Sequence, residues 1–160
     1  AYLGYQKGHT YGWEALADPE INTELRAAWQ ESIAGLVAHY DVDSAWLHAH
    51  AEDLRKRFAN RALGDTIFRL GRDPVRKLGP TDRLIAPARL AEEAGETPRA
   101  LAKAIAAALR FAPADDPIAV SLQERLSTQG LDAVLADVCQ IQDDEPLAAL
   151  VRYEYEQLAG

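Results

Sequence analysis

Basic residues are concentrated in one segment of this 160-residue chain, between Arg55 and Arg89. That segment contains ten Lys and Arg residues against three Asp, a net charge of +7. The chain as a whole carries 17 basic and 25 acidic residues, which leaves the remainder with a net charge of -15. A cationic segment in an acidic protein predicts a site for a small anionic ligand, although a solvated basic face would give the same count.

Three arginines of this segment flank a predicted break in helical structure. Arg69, Arg72 and Arg76 follow one another at helical spacing, but Gly71 and the pair Asp73–Pro74 interrupt the helix between them. Aspartate as N-cap and proline at the first helical position are typical of a helix start. We therefore expect the three guanidinium groups to converge beside a new helix N-terminus, a favourable place for a phosphate or carboxylate.

Acidic neighbours limit how many of these arginines can face a ligand. We expect Asp65 and Asp73 to neutralise and orient some of them, which leaves two or three free for binding. Each charge-assisted hydrogen bond to a ligand would contribute about 1.5 to 3 kcal/mol.

Other residues with catalytic potential form no recognisable site. His48 and His50 lie two positions apart on a predicted helix, on different faces, so they cannot share a metal ion there. His9 and His39 are isolated, and the single cysteine, Cys139, falls in an apolar helical pattern that predicts a buried thiol. The sequence has no Gly-rich dinucleotide motif, P-loop or nucleophile elbow.

The composition argues against several classes of protein. A net charge of -8 and a pI near 5.0 disfavour a general nucleic-acid-binding protein, which would need cationic surface for the phosphates. One cysteine cannot form an internal disulfide, and no apolar run approaches the roughly 20 residues of a membrane span. We therefore expect a cytoplasmic protein. The chain has no Met and begins AYLGY, which we interpret as a fragment of a longer protein.

Helical periodicity dominates the sequence around the basic segment. The predicted helices cover 19–40, 43–58, 82–94, 98–111, 117–128, 131–138 and 146–158. Five prolines follow a plausible N-cap and mark helix starts, namely Pro19, Pro74, Pro98, Pro117 and Pro146. Pro87 should kink or shorten the helix that contains it, and Gly95 and Gly130 are natural helix ends. With no strand pattern, the sequence predicts a single all-α domain of seven or eight helices, with 98–111 at its core.

Several segments resemble one known protein family. They are RFANRALGDTIFRLGRDPVRKLGPTDRLIAP (57–87), LAKAIAAALRF (101–111), the DDP helix start (115–117) and GLDAVLADVC (130–139). Over essentially its whole length the chain resembles the C-terminal helical domain of the polyol-specific long-chain dehydrogenases, and GRDPVRKL with DRLIAP resembles their mannitol-1-phosphate 5-dehydrogenase branch. The resemblance implies one substrate-binding domain over 1–160, with an all-α fold like the C-terminal domain of 6-phosphogluconate dehydrogenase.

The resemblance also implies a reaction. Enzymes of this branch interconvert mannitol 1-phosphate and fructose 6-phosphate with NAD and without a metal ion. Their catalytic lysine, asparagine and histidine, like the Rossmann domain that binds NAD, precede the segment that matches Ala1–Tyr5. The resemblance therefore places no catalytic, cofactor-binding or metal-binding residue in this chain. It implies the sugar phosphate and the protein's own N-terminal Rossmann domain as partners, with no nucleic acid and no membrane, and an isolated chain that is inactive.

Individual positions of the basic segment match the family motif. Arg69 and Lys77, eight positions apart, match the arginine and lysine that reach the substrate from the helical domain. Arg72 and Arg76 are additional charges in the same turn, and we interpret them as phosphate ligands, with Arg83 as a further candidate.

Asn60 and Asp65 belong to the same motif, but we expect them to cap the turn and to bind an arginine rather than the substrate. Two alternatives to a mannitol-1-phosphate dehydrogenase remain open. One is a helical anion-binding or interaction module that kept the fold and lost the reaction. The other is a relative that acts on a hexuronate or an unphosphorylated polyol.

Overall fold

The computed structural model describes residues 1–159, which form a succession of helices. The α-helices are α1 (Tyr2–Gln6), α2 (Gly12–Ala17), α3 (Pro19–His39), α4 (Ser44–Phe58), α5 (Ile67–Gly71), α6 (Pro74–Lys77), α7 (Ile85–Glu93), α8 (Arg99–Leu109), α9 (Pro117–Gln129), α10 (Leu131–Val134) and α11 (Pro146–Gln157). A 3-10 turn covers Arg61–Leu63 and a π-helical turn covers Leu135–Cys139. Over the same residues there is no β-strand, only an isolated bridge between Tyr11 and Thr66. The predicted all-α fold is confirmed.

Most helix boundaries follow from local chemistry. Asp18, Asp73 and Asp116 each accept a hydrogen bond from a backbone N–H in the first turn of a helix that opens on proline. Gly95 and Gly130 have positive φ angles of 84° and 86° where α7 and α9 end, a conformation that glycine adopts without strain. These predicted starts and ends are confirmed.

Two predicted starts and the helix count are wrong. α7 begins at Ile85, so Pro87 lies in the first turn, where the N–H that proline lacks would have no helical partner. α8 begins at Arg99, and Pro98 is its N-cap rather than its first residue. The chain also has more helices than predicted, because α1, α2, α5 and α6 are only four to six residues long and show no hydrophobic period.

The main core is formed by α7, α8, α9, α10, the π-helical turn and α11, and α3 packs against it. The side chains that α8 buries are Leu101, Ala102, Ile105, Ala106 and Leu109, which confirms its predicted central place. Gly35 allows α3 to approach α7 closely, because a Cβ at this position would lie 2.8 Å from the backbone nitrogen of Ala91. Cys139 is fully buried as predicted, and burial raises the pKa of its thiol to about 12.

A second, smaller cluster of buried side chains lies beside the basic segment. It consists of Tyr2, Ala15, Ile67 and Phe111. The Phe111 ring packs directly on Gly71, where a Cβ would lie only 2.3 Å from Cζ of the ring. This cluster therefore packs against the C-terminal end of α5.

Helix α4 differs from the others because none of its 15 residues is buried. Its predicted apolar stripe is only partly covered: Leu47 and Leu54 are half-buried, and Phe58 is exposed. Trp46 on the same helix is 59% exposed and stacks on His50. The helix forms as predicted, but it lies on the outside of the domain.

Glu31 explains how α8 begins without a side-chain cap of its own. Its two carboxylate oxygens accept hydrogen bonds from the backbone N–H groups of Ala100 and Leu101, both at 2.8 Å. We expect Glu31→Ala to lower the free energy of unfolding by about 1 to 3 kcal/mol, because two part-buried donors lose their acceptors. Urea unfolding would measure this. Gln30→Ala, at an exposed neighbouring position, is the control, and equal losses in both variants would contradict the assignment.

Candidate anion-binding site

The basic segment folds into a turn in which α5 ends at Gly71 and α6 begins at Pro74. We call residues 69–77 the arginine turn. The predicted break in the helix is confirmed. Asp73, at the centre of the turn, has φ 55° and ψ 63°, the left-handed conformation that residues other than glycine, asparagine and aspartate rarely adopt. Pro74 and Leu78 are buried and anchor the turn to the core.

An open cleft of about 460 Å³ lies between the arginine turn and the start of α9. Its lining residues are Phe68, Arg72, Asp73, Arg76, Asp115, Asp116, Pro117 and Ile118. The structure thus brings Arg72 and Arg76 to one cavity. Three aspartates share that cavity with the two arginines, so the cleft as a whole is less cationic than the sequence of the turn alone suggests.

The N-terminus of α6 is already occupied by its own cap. Oδ1 of Asp73 accepts a hydrogen bond from the backbone N–H of Arg76 at 3.3 Å, and Oδ2 accepts one from Nε of Arg76 at 3.2 Å. A carboxylate at this position offsets the partial positive charge of a four-residue helix. The cap forms as expected, and a contribution of this helix N-terminus to anion binding stays a prediction.

Several cations in and near the arginine turn form ion pairs with aspartates. Arg69 Nη1 lies 3.1 Å from Oδ1 of Asp65. Asp82 contacts two other cations, with Oδ1 at 2.7 Å from Arg83 Nε and Oδ2 at 3.9 Å from Arg76 Nη1. The pairs of Asp65 and Asp73 follow the sequence expectation, whereas the role of Asp82 was missed.

Arg72 is the arginine of this turn that has no carboxylate within 4.0 Å among residues 1–159, and its side chain is exposed. It lines the cleft. Of the three arginines at the break, it is the one that an incoming anion could bind without displacing an aspartate.

The side chain of Lys77 is half-buried, whereas Arg69, Arg72 and Arg76 are exposed. Its Nζ donates a hydrogen bond to the carbonyl oxygen of Arg72. Burial is the main cause that lowers the pKa of Lys77, the charges of Arg76 and Arg83 lower it further, and Asp73 and Asp116 act in the opposite direction. The ammonium group of Lys77 is therefore repelled by two neighbouring cations, Arg76 and Arg83.

Asn60 and Asp65 make contacts within the domain. Oδ1 of Asn60 accepts a hydrogen bond from the backbone N–H of Ala62 at 3.0 Å and caps the 3-10 turn. Asp65 pairs with Arg69, and its carbonyl oxygen accepts a hydrogen bond from the N–H of Gly12 at 2.8 Å. Both side chains position the segment that leads into α5.

Asp116 is a site residue that the sequence reasoning missed. The DDP sequence indicated a helix start, and Asp116 does cap α9, but it also lines the cleft and binds the backbone of the arginine turn. The only signal in the sequence was the pair of consecutive aspartates before Pro117.

Comparison with known proteins assigns the chain to a family. Residues 1–159 match the family described as the mannitol dehydrogenase C-terminal domain. The chain belongs to this family. Its resemblance to the C-terminal domain of polyol dehydrogenases is thereby confirmed.

Curated relatives are named mannitol-1-phosphate 5-dehydrogenase. The protein of this name from Caldanaerobacter subterraneus subsp. tengcongensis is 37% identical over 160 residues, all of this chain and 42% of the relative. Those from Bacillus licheniformis and Bacillus subtilis are each 40% identical, over 94% and 98% of this chain and 40% and 41% of the relatives. This member of the mannitol dehydrogenase C-terminal family thus spans about two fifths of the length of the relatives it matches.

Two further features are absent from the described part of this mannitol dehydrogenase C-terminal domain. Within residues 1–159, no three His, Cys, Asp or Glu side chains come together in an arrangement that could bind a metal ion. None of the helices there combines the length and the apolar character that crossing a membrane requires.

Proposed function

We propose that this chain is the substrate-binding domain of an NAD-dependent mannitol-1-phosphate 5-dehydrogenase that acts in the cytoplasm. The observation that carries the proposal is the match to relatives of that name at 37% to 40% identity over nearly the whole chain. The reaction would oxidise the C5 hydroxyl of mannitol 1-phosphate to the ketone of fructose 6-phosphate.

The described residues do not fit NAD. They form helices only, without the strand–turn–helix unit whose glycine-rich turn binds a dinucleotide pyrophosphate. In our proposal NAD is bound by an N-terminal Rossmann domain outside this chain, and the general base lies there too. The residues of this chain then bind and orient the sugar phosphate and cover it from water.

The arginine turn supplies the substrate contacts in this proposal. Arg69 and Lys77 bind the polyol, since a half-buried ammonium group offers three donors to neighbouring hydroxyls. Arg72 binds the phosphate first because it has no carboxylate partner among residues 1–159. Arg76 and Arg83 then release Asp82 and bind the phosphate as well. A guanidinium group can donate two hydrogen bonds to two oxygens of one phosphate.

The full-length parent tests the proposal directly. We expect it to reduce NAD⁺ with mannitol 1-phosphate and to discriminate strongly against free mannitol in a competition assay, because the phosphate ligands have no partner in the free polyol. Equal binding of both compounds would favour a polyol or hexuronate relative. No turnover with either compound, with the upstream domain present, would favour a helical anion-binding module.

Asp82 should act as an internal competitor of the phosphate. We expect Asp82→Asn to strengthen binding of inorganic phosphate by up to about fivefold, since a surface ion pair is worth about 0 to 1 kcal/mol and its loss frees Arg76 and Arg83. Titration calorimetry on the chain would measure this. Asp144→Asn removes the same charge from an exposed site and is the control. Weaker phosphate binding in Asp82→Asn would show that Asp82 holds the arginines in place instead.

A further inference from the structure

Asp116 is the only charged side chain that is buried in residues 1–159, with 5% of its surface exposed. A buried carboxylate is unfavourable unless hydrogen bonds replace those it made to water. Its partners therefore indicate its role.

Those partners belong to two separate elements. Oδ1 accepts hydrogen bonds from the backbone N–H groups of Ile118 at 3.0 Å and Ala119 at 3.3 Å, which caps α9. Oδ2 accepts one from the backbone N–H of Asp73 at 2.7 Å, 43 residues earlier in the chain. The first interaction is an ordinary helix cap, whereas the second contributes nothing to α9.

The second interaction leads to Lys77 through one peptide group. The N–H of Asp73 and the carbonyl of Arg72 belong to the same peptide, and that carbonyl accepts the hydrogen bond from Lys77 Nζ. No peptide bond in residues 1–159 is cis, and a trans peptide directs its N–H and C=O in opposite directions. This peptide group therefore lies between the carboxylate of Asp116 and the ammonium group of Lys77.

The arrangement strengthens both hydrogen bonds. A carboxylate at the N–H end polarises the peptide and makes its carbonyl a better acceptor for a cation, and a low local dielectric increases the effect. The same hydrogen bond holds Asp73 where its left-handed backbone conformation starts α6.

We propose that Asp116 is a positioning residue of the substrate site, which fixes the ammonium group of Lys77 through the peptide between Arg72 and Asp73. The proposal rests on the proposed function only in that Lys77 binds substrate. The connection from Asp116 to Lys77 is a property of this chain and is tested separately.

The charges around Lys77 give the direction of the effect. Arg76 and Arg83 repel the ammonium group, and Asp73 and Asp116 attract it. Without the Asp116 carboxylate, the repulsion and the burial are less well opposed. The pKa of Lys77 should then fall further, and more of the amine should be unprotonated at a given pH.

The test compares the reactivity of the Lys77 amine in three forms of the chain. Asp116→Ser keeps a good N-cap for α9 but removes the charge and the acceptor for Asp73. Asp115→Asn removes a charge from an exposed neighbour in the same cleft and is the matched control. We expect trace acetylation followed by mass spectrometry to show Lys77 reacting at least about threefold faster in Asp116→Ser, which corresponds to about half a pKa unit. Asp115→Asn should react like the unchanged chain.

Two results would overturn the proposal. One is equal Lys77 reactivity in Asp116→Ser and Asp115→Asn. The other needs no variant: an amide proton of Asp73 that exchanges as fast as an unprotected one would show that the hydrogen bond to Asp116 does not form in solution. In the full-length parent we expect Asp116→Ser to raise KM for the sugar phosphate. A shift in Lys77 reactivity without any change in KM would leave the positioning intact and contradict the role of Lys77 in substrate binding.

Discussion

Replacing Gly71 with alanine is expected to destabilise the chain by about 1 to 3 kcal/mol through overpacking. The new Cβ would lie 2.3, 2.4 and 2.7 Å from Cζ, Cε1 and Cε2 of Phe111. Gly71 has no positive φ, so alanine can adopt its backbone conformation and the effect is steric. Because the Phe111 ring belongs to the cluster that supports α5, the arginine turn should shift as well. Urea unfolding measures the first effect, and phosphate titration measures the second.

A double variant makes this prediction specific. Phe111→Leu replaces the ring with a smaller side chain. The double variant Gly71→Ala with Phe111→Leu should therefore lose less free energy of unfolding than the sum of the two single variants, by a coupling of about 0.5 to 3 kcal/mol. Gly79→Ala is the control, because its new Cβ would meet only the carbonyl oxygen of Arg76, at 3.2 Å. Additive losses in the double variant would show that the Phe111 contact is not the cause.

In the full-length parent, Lys77→Ala is expected to lower kcat/KM for mannitol 1-phosphate by roughly ten- to a hundredfold. This range corresponds to the loss of one charge-assisted hydrogen bond of about 1.5 to 3 kcal/mol. Arg69→Ala should lower kcat/KM by a similar factor if it binds the same substrate. Steady-state kinetics at a fixed NAD⁺ concentration would measure both.

The control for Lys77→Ala is Lys56→Ala, which removes an exposed cation of the basic segment outside the arginine turn. Its kcat/KM should stay within about twofold of the unchanged parent, since exposed substitutions away from special contacts have small effects. If Lys77→Ala and Arg69→Ala behaved like Lys56→Ala, the assignment of the substrate contacts would be wrong, while the family membership would stand.

The sequence predicted those parts of the fold that depend on neighbouring residues. The Asp-Pro pairs at Asp18, Asp73 and Asp116 start helices because cap and first turn lie within four positions of each other. The start of α8 was missed because its cap, Glu31, comes from α3, about 70 residues away. No local pattern contains that information.

The same distinction applies to the candidate site. The break that brings Arg72 and Arg76 to one cleft could be predicted, because Gly71 directly precedes Arg72 and the pair Asp73–Pro74 lies between the two arginines. The reason for Gly71 could not, since its contact with Phe111 spans 40 positions and is a matter of packing rather than of helix propensity. The bond from Asp116 to the turn is equally remote in sequence.

The exposure of α4 has a consequence for how the chain can be cut. A helix without a buried residue gains little from tertiary packing, so it should open locally at a lower free energy than α8. Its last turn presents Arg55, Lys56 and Arg57, the residue types after which trypsin cleaves. We expect brief digestion of the chain to begin there and to spare the bonds within α8. Initial cleavage after Lys103, within α8, would instead show that α8 opens before α4.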